Sequence, residues 1–172
     1  MRHTSLMKVL AVAFAGLFVA NRASADTYYF GANLDPFQEV PPHNTPGYGE
    51  ADFTLDSVTM LLTLTEGNYN DLLAGATSVV IADAAVGSNG PTQFSLTLNT
   101  YGNTSGNFGG SGTLTNTAYN DALAGNLYIN IRDSVYPSGE IRGQLEVVPE
   151  PGSLAILGGV GLLAMRRRRT PA

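Results

Sequence analysis

Histidine, cysteine, serine and carboxylate side chains could carry a reaction in this chain, but their arrangement does not predict one. Residues 26–150 contain one histidine, His43, and the whole chain has no cysteine. A Cys/His dyad or a His-rich metal site therefore cannot be built there. The sequence has no Gly-x-Ser-x-Gly elbow and no Gly-x-x-x-x-Gly-Lys phosphate loop. Paired carboxylates could serve a glycosidase, but the acidic residues are spread along the chain, so we predict no enzymatic activity and no cofactor.

The charge of the central region excludes two classes of partner. Between residues 26 and 150, two arginines, Arg132 and Arg142, stand against fourteen Asp and Glu residues, giving a formal charge of −12. A surface of that sign repels nucleic acid and anionic membranes. Neither is therefore an expected partner of this region.

Arg142 lies in a predicted strand near the end of this region. A charge inside a β-structure is costly unless it is paired. We therefore hypothesise that Arg142 pairs with Glu140 or Glu39. That pair would fix the Pro-rich segment 35–49 to the last strand.

Calcium binding is an alternative that the acidic composition leaves open. Loop oxygens of Asn70, Asp71 and Asp121 could contribute to such a site. Ca²⁺ takes six to eight oxygen ligands, and the sequence has no Asp-x-Asp-x-Asp-Gly loop to supply them. An enzyme acting on polysaccharide or peptide would need two carboxylates to converge in a cleft.

Short alternating segments predict the elements that position these residues. Residues 27–34, 51–55, 58–66 and 92–99 alternate apolar with polar side chains or are rich in aromatic residues, as in half-buried strands. Residues 77–82 are mostly apolar, which indicates a central strand. The Gly-, Asn- and Ser-rich segment 100–112 is expected to be a mobile loop, with a strand only from about residue 111. The pattern predicts an all-β antiparallel β-sandwich or Greek-key-like barrel of about eight short strands with two short helical turns.

The two helical turns are predicted from an internal repeat. Tyr-Asn-Asp-Leu-Leu-Ala-Gly at 69–75 matches Tyr-Asn-Asp-Ala-Leu-Ala-Gly at 119–125 in six of seven positions. Asn and Asp favour a helix N-terminus, and Gly favours its end. An apolar strand follows each copy, so we expect two related halves of one domain.

The first 25 residues are predicted to be a signal peptide. They combine basic residues, an apolar run at 9–20 and the small residues Ala-Ser-Ala at 23–25. Cleavage there would leave Asp26 as the first residue. An uncleaved anchor is the alternative.

Several blocks between residues 30 and 145 resemble the chordin-type (CHRD) domain family. They are Phe-Gly-Ala-Asn-Leu at 30–34, Gln-Glu-Val-Pro-Pro at 38–42, Gly-Ser-Asn-Gly-Pro at 87–91, Ala-Gly-Asn-Leu-Tyr-Ile-Asn-Ile at 124–131 and Pro-Ser-Gly-Glu-Ile-Arg-Gly-Gln-Leu at 137–145. The resemblance implies an extracellular β-sandwich module over residues 26–147.

The chain departs from this family at positions where relatives usually have histidine. Val80-Ile81-Ala82 stands where His-Ile-His is usual, and Arg132 stands at a third histidine position. Imidazole nitrogens could hold a transition metal, but Val, Ala and Arg cannot. We therefore expect no such metal site in this chain.

The C-terminal segment 148–172 resembles a PEP-CTERM sorting signal. Pro149, Glu150 and Pro151 precede an apolar run at 152–165, and four arginines follow it: Arg166, Arg167, Arg168 and Arg169. Such a cluster stays on the cytoplasmic side of a membrane. The resemblance implies cleavage near Pro-Glu-Pro by an exosortase-type protease in a bacterium with an outer membrane. A plain membrane anchor is the alternative, although the apolar run is short for a spanning helix.

These features together predict an exported, non-enzymatic module at the outer surface or in the extracellular matrix. It would be held in the inner membrane only through its C-terminal segment before processing. Its partners would be the sorting protease and an extracellular polysaccharide or protein.

Overall fold

The computed structural model describes residues 26–149. The predicted signal peptide and most of the predicted sorting segment lie outside these residues. The described region confirms the all-β antiparallel fold class, with more strands than predicted. Its ten strands are β1 (Thr27–Leu34), β2 (Tyr48–Asp56), β3 (Leu61–Asn70), β4 (Ala76–Asp83), β5 (Thr92–Leu98), β6 (Gly106–Gly109), β7 (Ser111–Thr113), β8 (Leu127–Asp133), β9 (Ile141–Gln144) and β10 (Glu146–Val148).

The sheet nearly closes into a barrel. Its strand order is β10-β1-β2-β3-β6-β5-β4-β8-β9, with β7 beside β3, and the pairs are antiparallel. Strands β9 and β10 are separated only by Leu145, so one chain segment pairs with β8 and then with β1. This segment covers sheet edges that would otherwise expose unpaired backbone groups.

Alternation along the strands builds the core. In β2, Ala51, Phe53 and Leu55 are buried, whereas Asp52 is exposed. Strands β4 and β8 are buried on both faces over most of their length. This confirms the expected central strand at 77–82 and indicates that something covers its outer face.

The two copies of the repeat do not have the same structure, so the prediction of a helical turn at 69–75 is wrong. In the first copy, Tyr69 and Asn70 end β3, and Asp71 has a φ of 55° in the loop that follows. The second copy lies in helix α1 (Asn116–Leu123). The other helical turn is a 3-10 helix at Pro36–Gln38. The strands after the two copies, β4 and β8, pair with each other.

The segment 100–112 is more regular than predicted. It contains β6, which was not predicted and pairs with β3 and β5. The strand expected from about residue 111 is confirmed as β7, which pairs with β3. Phe108 of β6 is buried with its ring 6.5 Å from that of Tyr69. Gly and Ser suggested a mobile loop, but the long strand β3 gives them a template to pair with.

Candidate functional site

The outer face of β8 and β9 is covered by the Pro-rich segment. Side chains alternate across a sheet, so Ile129 and Ile131 enter the core while Tyr128 and Asn130 point outward. All four are nevertheless buried. The chain between β1 and β2 lies over this face, and Glu39 from it is only 4% exposed. A second, polar layer therefore lies outside the hydrophobic core.

Arg142 is the centre of this polar layer, with partners other than those predicted. It is 1% exposed. Its guanidinium donates to Ser88 O at 2.7 Å and to Gln144 Oε1 at 3.1 Å. Its Cζ lies 3.5 Å from the centre of the Tyr128 ring, a cation–π contact. Within residues 26–149, these contacts replace the predicted ion pair with Glu140 or Glu39.

Backbone and amide groups hold the Pro-rich segment to β9. Asp35 and Arg142 exchange backbone hydrogen bonds of 3.0 and 3.1 Å. Gln144 N donates to Gln38 Oε1 at 3.2 Å. The segment is thus attached at the predicted place, by groups other than the predicted ion pair.

Glu39 lies in the same layer but binds a different side chain. Asn130 Nδ2 donates to its carboxylate at 3.0 and 3.3 Å. Burial raises the pKa of Glu39 to about 7, and the positive charge of Arg142 opposes part of that rise. Arg142 and Glu39 thus attract each other electrostatically, although their side chains do not form the direct ion pair that was predicted.

Glu140 forms a separate buried site with Asp133, which sequence reasoning missed. Leu73 N donates to both oxygens of Glu140 at 2.9 and 3.0 Å, and Ala74 N donates to Asp133 Oδ2 at 3.0 Å. Burial raises the pKa of Glu140 to about 7, and the neighbouring Asp133 carboxyl adds to the rise. Because both carboxyls bind backbone N–H groups of the 71–75 loop, their role here is structural. The sequence contains one signal for this site, because the strand that follows each copy of the repeat ends in an Asp, Asp83 in β4 and Asp133 in β8.

A cleft of about 350 Å³ opens above Arg142. It lies between the Pro-rich segment and the loop at 84–91. Its lining residues are Phe37, Gln38, Glu39, Val40, Pro42, Val86, Gly87, Arg142 and Gln144. Apolar side chains form its walls and charged side chains its floor, a composition typical of small-molecule sites.

The rim of the cleft is exposed but fixed in place. Phe37 is 67% exposed on one side and Val86 is 77% exposed on the other. Asp35 Oδ1 accepts the backbone N–H groups of Phe37 at 2.8 Å and Gln38 at 3.0 Å, which caps the 3-10 helix. Asn89 Nδ2 donates to Val40 O at 2.7 Å and joins the two loops. The apolar rim is therefore preorganised.

The residues considered for calcium binding are not brought together. Asn70 and Asp71 precede β4, whereas Asp121 acts electrostatically on Asp83 at the other end of that strand. A strand of eight residues spans roughly 25 Å. Within residues 26–149, no group of three or more His, Cys, Asp or Glu side chains is placed to hold a metal ion.

The other residues singled out in the sequence lie in the core or beside other side chains of the domain. The His43 ring lies 4.2 Å from the Tyr136 ring. Val80 and Ala82 are buried, and Arg132 Nη2 is 3.5 Å from Thr92 Oγ1. No helix between residues 26 and 149 is long and apolar enough to span a membrane.

The fold and the resemblance lead to the same class of protein, an all-β domain of the chordin type. The sequence profile of the CHRD domain matches residues 30–145. The chain belongs to the CHRD family. No curated protein and no solved structure is significantly similar to it. Membership is compatible with a non-enzymatic extracellular module.

Proposed function

We propose that this protein is an exported, non-enzymatic CHRD module that acts by binding within the extracellular or exopolysaccharide layer of a bacterium with an outer membrane. The observation that carries the binding role is the cleft at Phe37 and Val86. The apolar rim of the cleft is exposed to solvent. The carboxyls of Glu140 and Asp133, by contrast, are buried and already bind backbone N–H groups, so they do not offer a binding site. Exposed apolar surface around a fixed cavity is typical of interaction sites.

The terminal segments support the cellular part of the proposal. Residues 1–25 have the composition of a signal peptide. Pro149, Glu150 and Pro151, the apolar run and Arg166–Arg169 form the sorting signal that an exosortase-type protease would recognise. The protein would be anchored in the inner membrane until that protease releases it to the outer surface or matrix.

The ends of the folded domain lie beside each other. Tyr29 of β1 pairs with Val148 of β10, and Asp26 and Pro149 line one surface cavity. Both terminal segments therefore leave the domain from one region. This placement is compatible with both segments reaching the same membrane before processing.

Mass spectrometry of the exported form tests the cellular part of the proposal. We expect a protein that begins at Asp26 and ends near Pro149–Pro151. Replacing Arg166, Arg167, Arg168 and Arg169 by Gln should reduce the processed extracellular form, because the positive cluster orients the segment in the membrane.

Replacing the exposed residue Glu146 by Gln is the control, and it should leave processing unchanged. Recovery of the chain with residues 1–25 attached would contradict export with signal cleavage. Recovery of intact residues 150–172 on the extracellular protein would contradict sorting by proteolysis.

A further inference from the structure

We infer that the cleft between the Pro-rich segment and the 84–91 loop binds a neutral sugar unit of an extracellular polysaccharide. The inference rests on the proposed binding function and adds the chemical class of the ligand. Phe37, Val86 and the floor residues Arg142 and Glu39 would make the contacts. Three properties of the cleft lead to this class.

The walls match the carbon-bonded faces of a sugar ring. Phe37 presents a large aromatic surface from the first turn of the 3-10 helix, and Val86 lies across the opening. Val40 and Pro42 complete the apolar lining. A rigid aromatic side chain provides contact area at a low entropy cost, and a flat ring can lie against it.

The floor matches hydroxyl groups, which both donate and accept hydrogen bonds. A guanidinium has five N–H donors. Within residues 26–149, Arg142 uses two of its nitrogens to bind Ser88 and Gln144, which leaves donors for a ligand oxygen. The carboxyl of Glu39 also lines the cleft, and its oxygens can each accept a further hydrogen bond besides that from Asn130. A donor and an acceptor in the lining of one cleft suit the hydroxyls of a sugar.

The charge of the domain selects a neutral sugar over an acidic one. Within the described part of the chain, Arg142 is the one cation that lines the cleft, and Glu39 is the one acidic residue in the same lining. The domain as a whole has an acidic excess, which repels polyanions at long range. The volume of about 350 Å³ is at the lower end of small-molecule sites, roughly 300–1,000 Å³, and suits one or two sugar rings.

Titration of the processed, ¹⁵N-labelled exported protein with oligosaccharides tests the inference. The neutral probes are cellotriose, maltotriose, mannotriose and chitotriose, and the acidic probe is trigalacturonate. We expect at least one neutral probe to bind, with NMR shift changes concentrated at residues 37–42 and 84–88. Phe37→Ala should weaken that binding about tenfold or more, because it removes the main wall of the cleft.

Tyr101→Ala is the matched control, because Tyr101 is 73% exposed on a loop outside the cleft. It should leave affinity unchanged, and melting temperatures should show that both variants are folded. Failure of every neutral probe, equal affinity of Phe37→Ala and the native protein, or tighter binding of trigalacturonate would overturn the inference. Those outcomes would leave the processing results untouched, so this inference and the proposed export can fail separately.

Discussion

Two buried glutamates link the stability of the domain to pH. Burial raises the pKa of Glu39 and of Glu140 from an ordinary 4.5 to about 7. The folded state therefore binds protons more tightly than the unfolded chain at these sites. Their stabilising effect is complete below about pH 4.5 and is lost as the pH rises through 7. These two groups alone make the domain more stable in mild acid than in mild alkali.

We expect the free energy of unfolding to fall between pH 5 and pH 8, because both carboxyls lose their protons in that range in the folded state, and each unit of pKa difference between the folded and unfolded states corresponds to about 1.4 kcal/mol. Glu39→Gln and Glu140→Gln should each flatten part of this slope, because glutamine does not ionise. Urea denaturation at several pH values measures the effect.

Glu50→Gln is the matched control for both variants, because it removes a charge of the same type from an exposed position. It should leave the pH slope unchanged. A free energy of unfolding that increases from pH 5 to pH 8 would contradict the assignment.

At the residue scale, the sequence predicts which charges are buried better than it predicts their partners. The sequence predicted Glu140 as one of two possible partners of Arg142. However, β9 begins at Ile141, so Glu140 precedes the strand and its side chain reaches the N–H of Leu73. The path of a loop from another part of the chain decides such contacts. No local pattern contains that information.

At the element scale, one heptapeptide adopts two structures because its neighbours differ. A single helical turn is marginal in isolation. In the second copy, Thr115 Oγ1 accepts the N–H of Ala118 and starts α1 before the repeat begins. In the first copy, Tyr69 is buried in β3 and its hydroxyl donates to Thr100 O. In the first copy, tertiary pairing overrides the helical preference of the repeat.

Thr115→Ala should destabilise the domain by about 1 kcal/mol, the usual cost of losing an N-cap oxygen. The Thr115 hydroxyl accepts a hydrogen bond from the backbone N–H of Ala118, which has no partner within the helix. Chemical denaturation measures the change. Thr117→Ala, at an exposed position in the first turn of α1, is the control and should have a smaller effect. Equal losses in the two variants would show that the cap contributes nothing.

The close packing of β9 against β1 depends on a glycine. A Cβ at Gly143 would lie 2.7 Å from Asn33 O and 3.0 Å from Asn33 C. Gly143→Ala should therefore destabilise the domain by about 2 kcal/mol or more, as overpacking against backbone does.

Gly109→Ala is the matched control for Gly143→Ala, because a Cβ there meets nothing within 4 Å. Its melting temperature should stay near that of the native protein. A native-like melting temperature for Gly143→Ala would show that β9 can move away from β1 at little cost.

At the scale of the whole molecule, the final segment closes the sheet. Alternation predicted most strands but not their order, because strand order depends on pairings between distant parts of the chain. Short strands such as β6 were missed, since Gly and Asn are poor strand formers in isolation. Sequence patterns could not predict the cleft either, because its two walls come from segments almost fifty residues apart.

A chain that ends at Leu145 should melt at a lower temperature than one that ends at Pro149. The shorter chain lacks β10 and leaves one side of β1 without its pairs at Tyr29, Phe30 and Gly31. An unpaired edge also promotes association, so size-exclusion chromatography should detect more oligomer. Equal melting temperatures would show that β10 does not contribute to closure.

The ladder between β10 and β1 also determines how the domain would respond to a pull on its C-terminal end. Only three residue pairs join these strands, and the outermost, Tyr29 with Val148, lies next to the point where the tail leaves. Tension transmitted through Pro149 would open these pairs in succession before it reached β9. The domain would thus open first at the β10–β1 ladder, while the longer β2–β3 and β4–β8 ladders remained intact.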